Sequence, residues 1–71
     1  MMDMYKVNSS NLAEVGYDKG EQILRIIFKN GGIYEYEGVP IEEYYGLMQA
    51  ESVGKYFNQN IARGGYPYKR M

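Results

Sequence analysis

Residues 23–36 alternate. Leu24, Ile26 and Phe28 fall on one face of an extended segment, and Tyr34 and Tyr36 on one face of the next, the period of two that a strand requires. Asn30, Gly31 and Gly32 between them tolerate positive φ, so the pattern predicts two strands folded back on a turn. Ile23, Arg25 and Ile27 occupy the other face of the first strand, which makes both of its faces largely apolar. Helices must cover one face. Tyrosines, a second molecule or the curl of the sheet must shelter the other.

Upstream, residues 12–17 alternate loosely, with Leu12, Glu14 and Gly16 on one face and Ala13, Val15 and Tyr17 on the other. The turn signal Asp18-Lys19-Gly20-Glu21 joins this strand to the next as an antiparallel hairpin. Tyr5-Lys6-Val7 predicts a further short strand, stopped by Asn8-Ser9-Ser10-Asn11, whose side chains bond nearby backbone.

At Val39-Pro40 the period changes to about 3.6. Pro40 suits a first helical turn, and Glu42 and Glu43 favour the positive end of the helix dipole. Tyr44, Leu47 and Met48 form one face of a helix reaching Gln49. Ser52 is the predicted N-cap of a second helix, with Val53, Tyr56, Phe57 and Ile61 as its apolar stripe and Gly64-Gly65 as its stop. Gly46 and Gly54 lie inside these helices at a cost of about 1 kcal/mol each, which points to close approach by a neighbouring element.

These elements predict an α+β fold, a small antiparallel meander of three or four strands followed by two α-helices packed on one face. One domain spans residues 1–71, with 64–71 as a C-terminal tail, since Pro67 holds Tyr66 extended and cannot continue a helix. The expected core is Val15, Leu24, Ile26, Phe28, Tyr34, Tyr36, Leu47, Met48, Val53, Tyr56, Phe57 and Ile61.

Composition narrows the chemistry. With 71 residues the core must be small, near the size at which burial only just outweighs chain entropy. The chain has no cysteine and no histidine, so disulfides, thiolate metal sites and a histidine base are excluded. No apolar run approaches the roughly 18 residues of a membrane span, and the opening Met1-Met2-Asp3-Met4 is not that of a signal peptide. The expected location is the cytoplasm.

The net charge of −1 conceals a segregation. All nine acids lie before Ser52, against Lys6, Lys19, Arg25 and Lys29. Beyond it stand Lys55, Arg63, Lys69 and Arg70 with no acid.

Paired carboxylates occur at Glu35/Glu37 and Glu42/Glu43, the first read as a solvated outer strand face and the second as serving the helix dipole. Ser9, Ser10 and Ser52 have no histidine to activate them. No calcium-type loop is present. The expectation is a protein that is not an enzyme and holds no metal or cofactor.

The opening Val7-Asn8-Ser9-Ser10, Gly16-Tyr17-Asp18, Leu24-x-Ile26-x-Phe28, Asn30-Gly31, Tyr34-Glu35-Tyr36, Val39-Pro40 and Ser52-Val53-Gly54-Lys55-Tyr56-Phe57-Asn58 together resemble a KTSC domain. That family is named for its occurrence at the C-terminus of some lysyl-tRNA synthetases, and it also occurs as free-standing small proteins of bacteria and phages. The resemblance runs from about Val7 to Ile61. It implies no defined activity; its company with a synthetase suggests RNA binding.

RNA or another single-stranded nucleic acid is therefore the expected ligand. Lys55, Arg63, Lys69 and Arg70 would meet phosphates, while rings among Tyr34, Tyr36, Tyr66 and Tyr68 would stack on unpaired bases. Four such cations predict a log–log salt slope of about −3. The tentative site is Lys55, Arg63, Tyr66, Tyr68, Lys69 and Arg70, with Tyr34 and Tyr36 assigned to the core. The competing expectation is a module for protein–protein interaction or homo-oligomerisation through Ile23 and Ile27, an edge strand or the Tyr-Pro-Tyr tail.

Overall fold

The computed structural model describes residues 2–71, so Met1 of the opening run lies outside the described residues. Five strands, β1 (Met4–Lys6), β2 (Leu12–Asp18), β3 (Ile23–Phe28), β4 (Ile33–Tyr36) and β5 (Tyr68–Arg70), form one antiparallel sheet in chain order. Helices α1 (Ile41–Gln49) and α2 (Val53–Tyr56), the latter running on as a π-helix over Phe57–Ala62, stand between β4 and β5. The α+β meander with two helical segments is as expected. The strand count is five rather than three or four, because the tail after Pro67 returns to the sheet and pairs with β4.

The turns form where the sequence places them. Asn30 Oδ1 accepts from Gly32 N at 2.9 Å and Gly31 sits at φ 94°, a left-handed position that glycine occupies without a Cβ clash. Asp18 Oδ1 accepts from Glu21 N at 3.1 Å and ties the β2–β3 turn.

One expected pairing is corrected. The register shifts between Leu12 and Glu14, a bulge that puts Leu12 opposite Phe28 and Val15 opposite Ile26 on the same face. Strict alternation had set Leu12 against Val15. An extra residue in one strand reverses the facing of everything before it, and Leu12 is fully buried as a result.

Leu12, Val15, Leu24, Ile26, Val39, Leu47 and Ile61 are fully buried, with Tyr36, Val53 and Phe57 nearly so. Of the residues expected in the core, Phe28, Tyr34, Met48 and Tyr56 pack against it without being buried.

Pro40 is the N-cap of α1 rather than its first helical residue, and Glu42 and Glu43 fill the first turn. Tyr17 donates to the Val39 carbonyl at 2.5 Å and stacks on Tyr44 at 5.0 Å, fixing α1 to β2. Ser52 caps α2 as expected, accepting from Lys55 N at 3.3 Å. Where the helix widens, the Asn60 side chain donates to the Tyr56 carbonyl at 3.2 Å, on the oxygen that the Asn60 N–H would take in an α-turn.

The glycines inside the helices are explained by contact. A Cβ on Gly46 would come within 2.7 Å of Tyr56 Cζ, and one on Gly54 within 2.9 Å of Asn11 Oδ1. No helix among the described residues is long and apolar enough to cross a membrane.

Candidate nucleic-acid interface

The pairing of β4 with β5 sets Tyr36 opposite Tyr68, Glu35 opposite Lys69 and Tyr34 opposite Arg70. Alternation then divides the tail. Tyr68 and Arg70 share the helix-covered side of the sheet with Tyr34 and Tyr36, and Lys69 points to the other side with Glu35.

The helices do not extend over β5, so the aromatic side remains open there. Phe28, Tyr34, Tyr36, Tyr68 and Arg70, with Asn30, Gly32 and Ala62 at the margins, line a groove of about 440 Å³. Tyr68 is 62% exposed and lies 5.9 Å from the Tyr34 ring and 5.4 Å from the Tyr36 ring, tilted against both. Phe28 meets Tyr34 edge-on at 5.6 Å and supports it from below. The Arg70 guanidinium sits 5.9 Å from the centre of the Tyr34 ring, within cation–π reach. Burial, then the neighbouring phenols of Tyr68 and Tyr34, push the Tyr36 phenol above its ordinary value, so it stays neutral through the physiological range. The Asn30 carbonyl oxygen is held by Gly32 N, which leaves its NH₂ free to donate.

The residues singled out in the sequence part company. Tyr68 and Arg70 meet in the groove. Arg63 is exposed at the end of the π-helix, one residue beyond Ala62.

Lys55 belongs elsewhere. It lines a polar cleft of about 640 Å³ with Asn8, Ser9, Asn11, Glu51 and Asn58. The polar groups of that cleft are engaged with one another: Ser9 Oγ accepts from Asn11 N and Leu12 N at 3.3 and 3.2 Å and donates to Asn11 Oδ1 at 3.0 Å.

Tyr66 turns inward. Its hydroxyl donates to Glu43 Oε2 at 3.2 Å, beside the Tyr56 hydroxyl, which donates to Glu43 Oε1 at 2.6 Å. Burial and Glu43 raise the Tyr66 pKa, and the Glu43 hydrogen bond with burial raises that of Tyr56 to about 12. Tyr66 therefore fastens the tail to α1.

Lys69 faces Glu35, which is not on a solvated strand face as expected. Only 6% of Glu35 is exposed, and it accepts from Arg25 Nε at 2.8 Å and Arg25 Nη2 at 2.5 Å.

Phe28, Tyr34 and Tyr36 are members of the groove that the sequence pattern places in the core. Tyr36 does belong to the core, but Tyr34 is only half-buried, because the partner of its outer edge is a strand and not a helix. That strand, Tyr68–Arg70, has no local signal beyond following a proline, and pairing with β4 orders it. No cluster of three or more metal-ligating side chains occurs among the described residues.

Comparison with known proteins bears on the family. The family model described as KTSC domain matches residues 8–66. An uncharacterised protein of Stutzerimonas stutzeri is 40% identical over 70 residues, which cover 99% of each chain. A protein of Tsukamurella paurometabola is 44% identical over 55 residues, covering 78% of this chain and 82% of its own. The crystal structure of a KTSC domain protein from Yersinia pestis superposes with a TM-score of 0.93 at 31% identity, covering 100% of this chain and 99% of the other. On this sequence match and this shared fold, the chain belongs to the KTSC domain family.

Proposed function

We propose that this protein is a non-enzymatic binding module of the cytoplasm that takes an unpaired segment of RNA or other single-stranded nucleic acid along the β4–β5 groove. The observation that carries the reading is the juxtaposition of Tyr34, Tyr68 and Arg70, two accessible rings and a guanidinium lining one groove. A base stacks on Tyr68, the more exposed ring, and Arg70 meets the adjoining phosphate. Such stacks contribute about 1–3 kcal/mol per base and need no particular base, since every base has a π-face.

Of the four cations considered from sequence, Arg70 lines the groove and Arg63 follows a residue that does. One or two phosphate contacts correspond to a log–log salt slope of about −0.7 to −1.4 for a single strand, shallower than the four-cation value.

The test is an amide chemical-shift titration with a mixed single-stranded RNA at about 50 and 200 mM salt. Shifts are expected at Tyr34, Tyr68 and Arg70, with Lys55 and Lys69 unmoved, and Tyr68→Ala should weaken binding about tenfold. Absence of shifts at these three residues at the lower salt would overturn the reading.

A further inference from the structure

Among the described residues the other side of the sheet has no helix over it, yet it carries large aliphatic side chains that water still reaches. Ile23, Ile27 and Ile33 are half-buried there, Glu35 is buried, and the chain's own Met2, Asp3 and Met4 lie across Gly16. The strand registers order this face into rows. Lys6, Glu14, Ile27 and Ile33 lie side by side in one row, and Met4, Gly16, Arg25, Glu35 and Lys69 in the next. Asp18 and Ile23 form a third. The charges in these rows balance: Lys6, Arg25 and Lys69 against Glu14, Asp18 and Glu35.

We propose that this face is a homodimer interface, two copies of the chain packing sheet on sheet about a two-fold axis that runs parallel to the strands between β3 and β4. A two-fold interface must be complementary to itself, and the rows satisfy that condition for this axis. It lays β3 over the partner's β4 and β2 over the partner's β5. Arg25 then faces the partner's Glu35, and Ile27 faces the partner's Ile33. Lys69 comes over the partner's Met4 side chain, which covers the glycine of that row, between the partner's Glu14 and the partner's Asp18.

The neighbouring choices fail. An axis centred on β3 sets Arg25 against the partner's Arg25, and one running across the strands through the central row sets Glu14 against the partner's Asp18. Like charges so placed are destabilising. Aligned sheets pack about 10 Å apart with a twist of roughly 30°, so the central pairs coincide most closely and Lys6 falls at the rim. The β4–β5 groove opens on the opposite side of the sheet, so the interface and the nucleic-acid reading stand or fall separately.

Sedimentation equilibrium of the full chain, between about 10 μM and 1 mM, tests this, since a dimer of small subunits depends on concentration. The expected mass is twice the 8.2 kDa of the chain. Ile27→Glu should return it to the monomer with the fold, followed by circular dichroism, intact. Lys69 is exposed on β5 but stands opposite Glu35, so Lys69→Glu, its fold likewise followed by circular dichroism, should weaken the dimer about tenfold or more. Adding Glu14→Lys to Lys69→Glu should restore it; Asp18 is left in place because it is needed for the β2–β3 turn. A mass of 8.2 kDa throughout the range would overturn the interface. A dimer indifferent to Lys69→Glu, or one that Glu14→Lys fails to rescue, would overturn the axis.

Discussion

The two sides of the sheet begin alike and end differently. On β3 the helix-side residues Leu24 and Ile26 are fully buried, while Ile23 and Ile27 on the other side are half-buried, although all four are large aliphatic side chains in one six-residue strand. The difference comes from the neighbours. Toward the helices, β2 contributes Leu12, Val15 and Tyr17 and β4 contributes Tyr34 and Tyr36, an apolar surface wide enough to bury the stripe of Leu47, Val53, Phe57 and Ile61. Away from them, β2 contributes Glu14, Gly16 and Asp18 and β4 contributes Glu35, so no helix can lie there without stranding charge. A strand's facing is therefore decided by its partners in register, and the apolar content of β3 by itself does not decide it.

Paired truncations on β3 put this to the largest test. Leu24→Ala removes a fully buried side chain and should cost about 2–5 kcal/mol, the range for cavities in packed cores. Ile27→Ala on the open face should cost less than half as much in dilute protein, where no second copy covers it, because water already reaches the site. Urea denaturation of both variants, read against the parent, gives the two values. Equal losses would mean that the open face is a second core and would break the comparison.

How much of this was legible depends on the scale of the signal. Alternation over β3 and β4, the turn at Asn30-Gly31 and the cap at Ser52 are local, and local chemistry determines them. The bulge at Leu12–Glu14 is not local. It follows from fitting β2 against β3, and it moved Leu12 into the core. The π-helical widening at Phe57–Ala62 is equally hidden, since Phe57 and Ile61 keep a spacing that suits an ordinary helix.

The candidate site was half legible. Tyr68 and Arg70 were visible as an aromatic and a cation near the end of the chain, but their meeting with Tyr34, and the turning away of Lys69 and Tyr66, depend on a three-residue strand whose existence comes from pairing with β4. Strands that short have too little intrinsic preference to declare themselves.

A smaller effect sharpens the helix-side half of the comparison. Gly46 lets Tyr56 cross α1 so closely that a Cβ would stand 2.7 Å from its ring carbon Cζ. Gly46→Ala gains about 1 kcal/mol of helix propensity, but the ring is pinned by its hydrogen bond to Glu43 at 2.6 Å and cannot swing aside without breaking it. Overpacking of this kind costs about 1–3 kcal/mol. The net expectation is a loss of about 1 kcal/mol in chemical denaturation, where an exposed helix glycine would have gained by the same change. A gain would show that the helices ride loosely on the sheet.

The smallest effect concerns the same fastening seen through pH. Tyr56 and Tyr66 both donate to Glu43, which ties α1, α2 and the approach to β5 at one carboxylate. The bond to Glu43 holds the Tyr56 proton on, raising its pKa to about 12 from the 10.0 of a free phenol. Below pH 10 both folded and unfolded chains keep this proton, and the contribution is fully present. Above that the unfolded chain loses it first, so unfolding is favoured progressively as pH rises toward the folded value. Tyr56→Phe removes the donor and should cost about 1 kcal/mol near neutrality, the ordinary net value of such a bond. It should also flatten the decline in stability that Tyr56 causes between pH 10 and about 12. Thermal melts of the two chains across that range measure the difference. If the two curves stay parallel, the Glu43 fastening contributes nothing beyond packing, and the closeness of α1 to α2 rests on Gly46 alone.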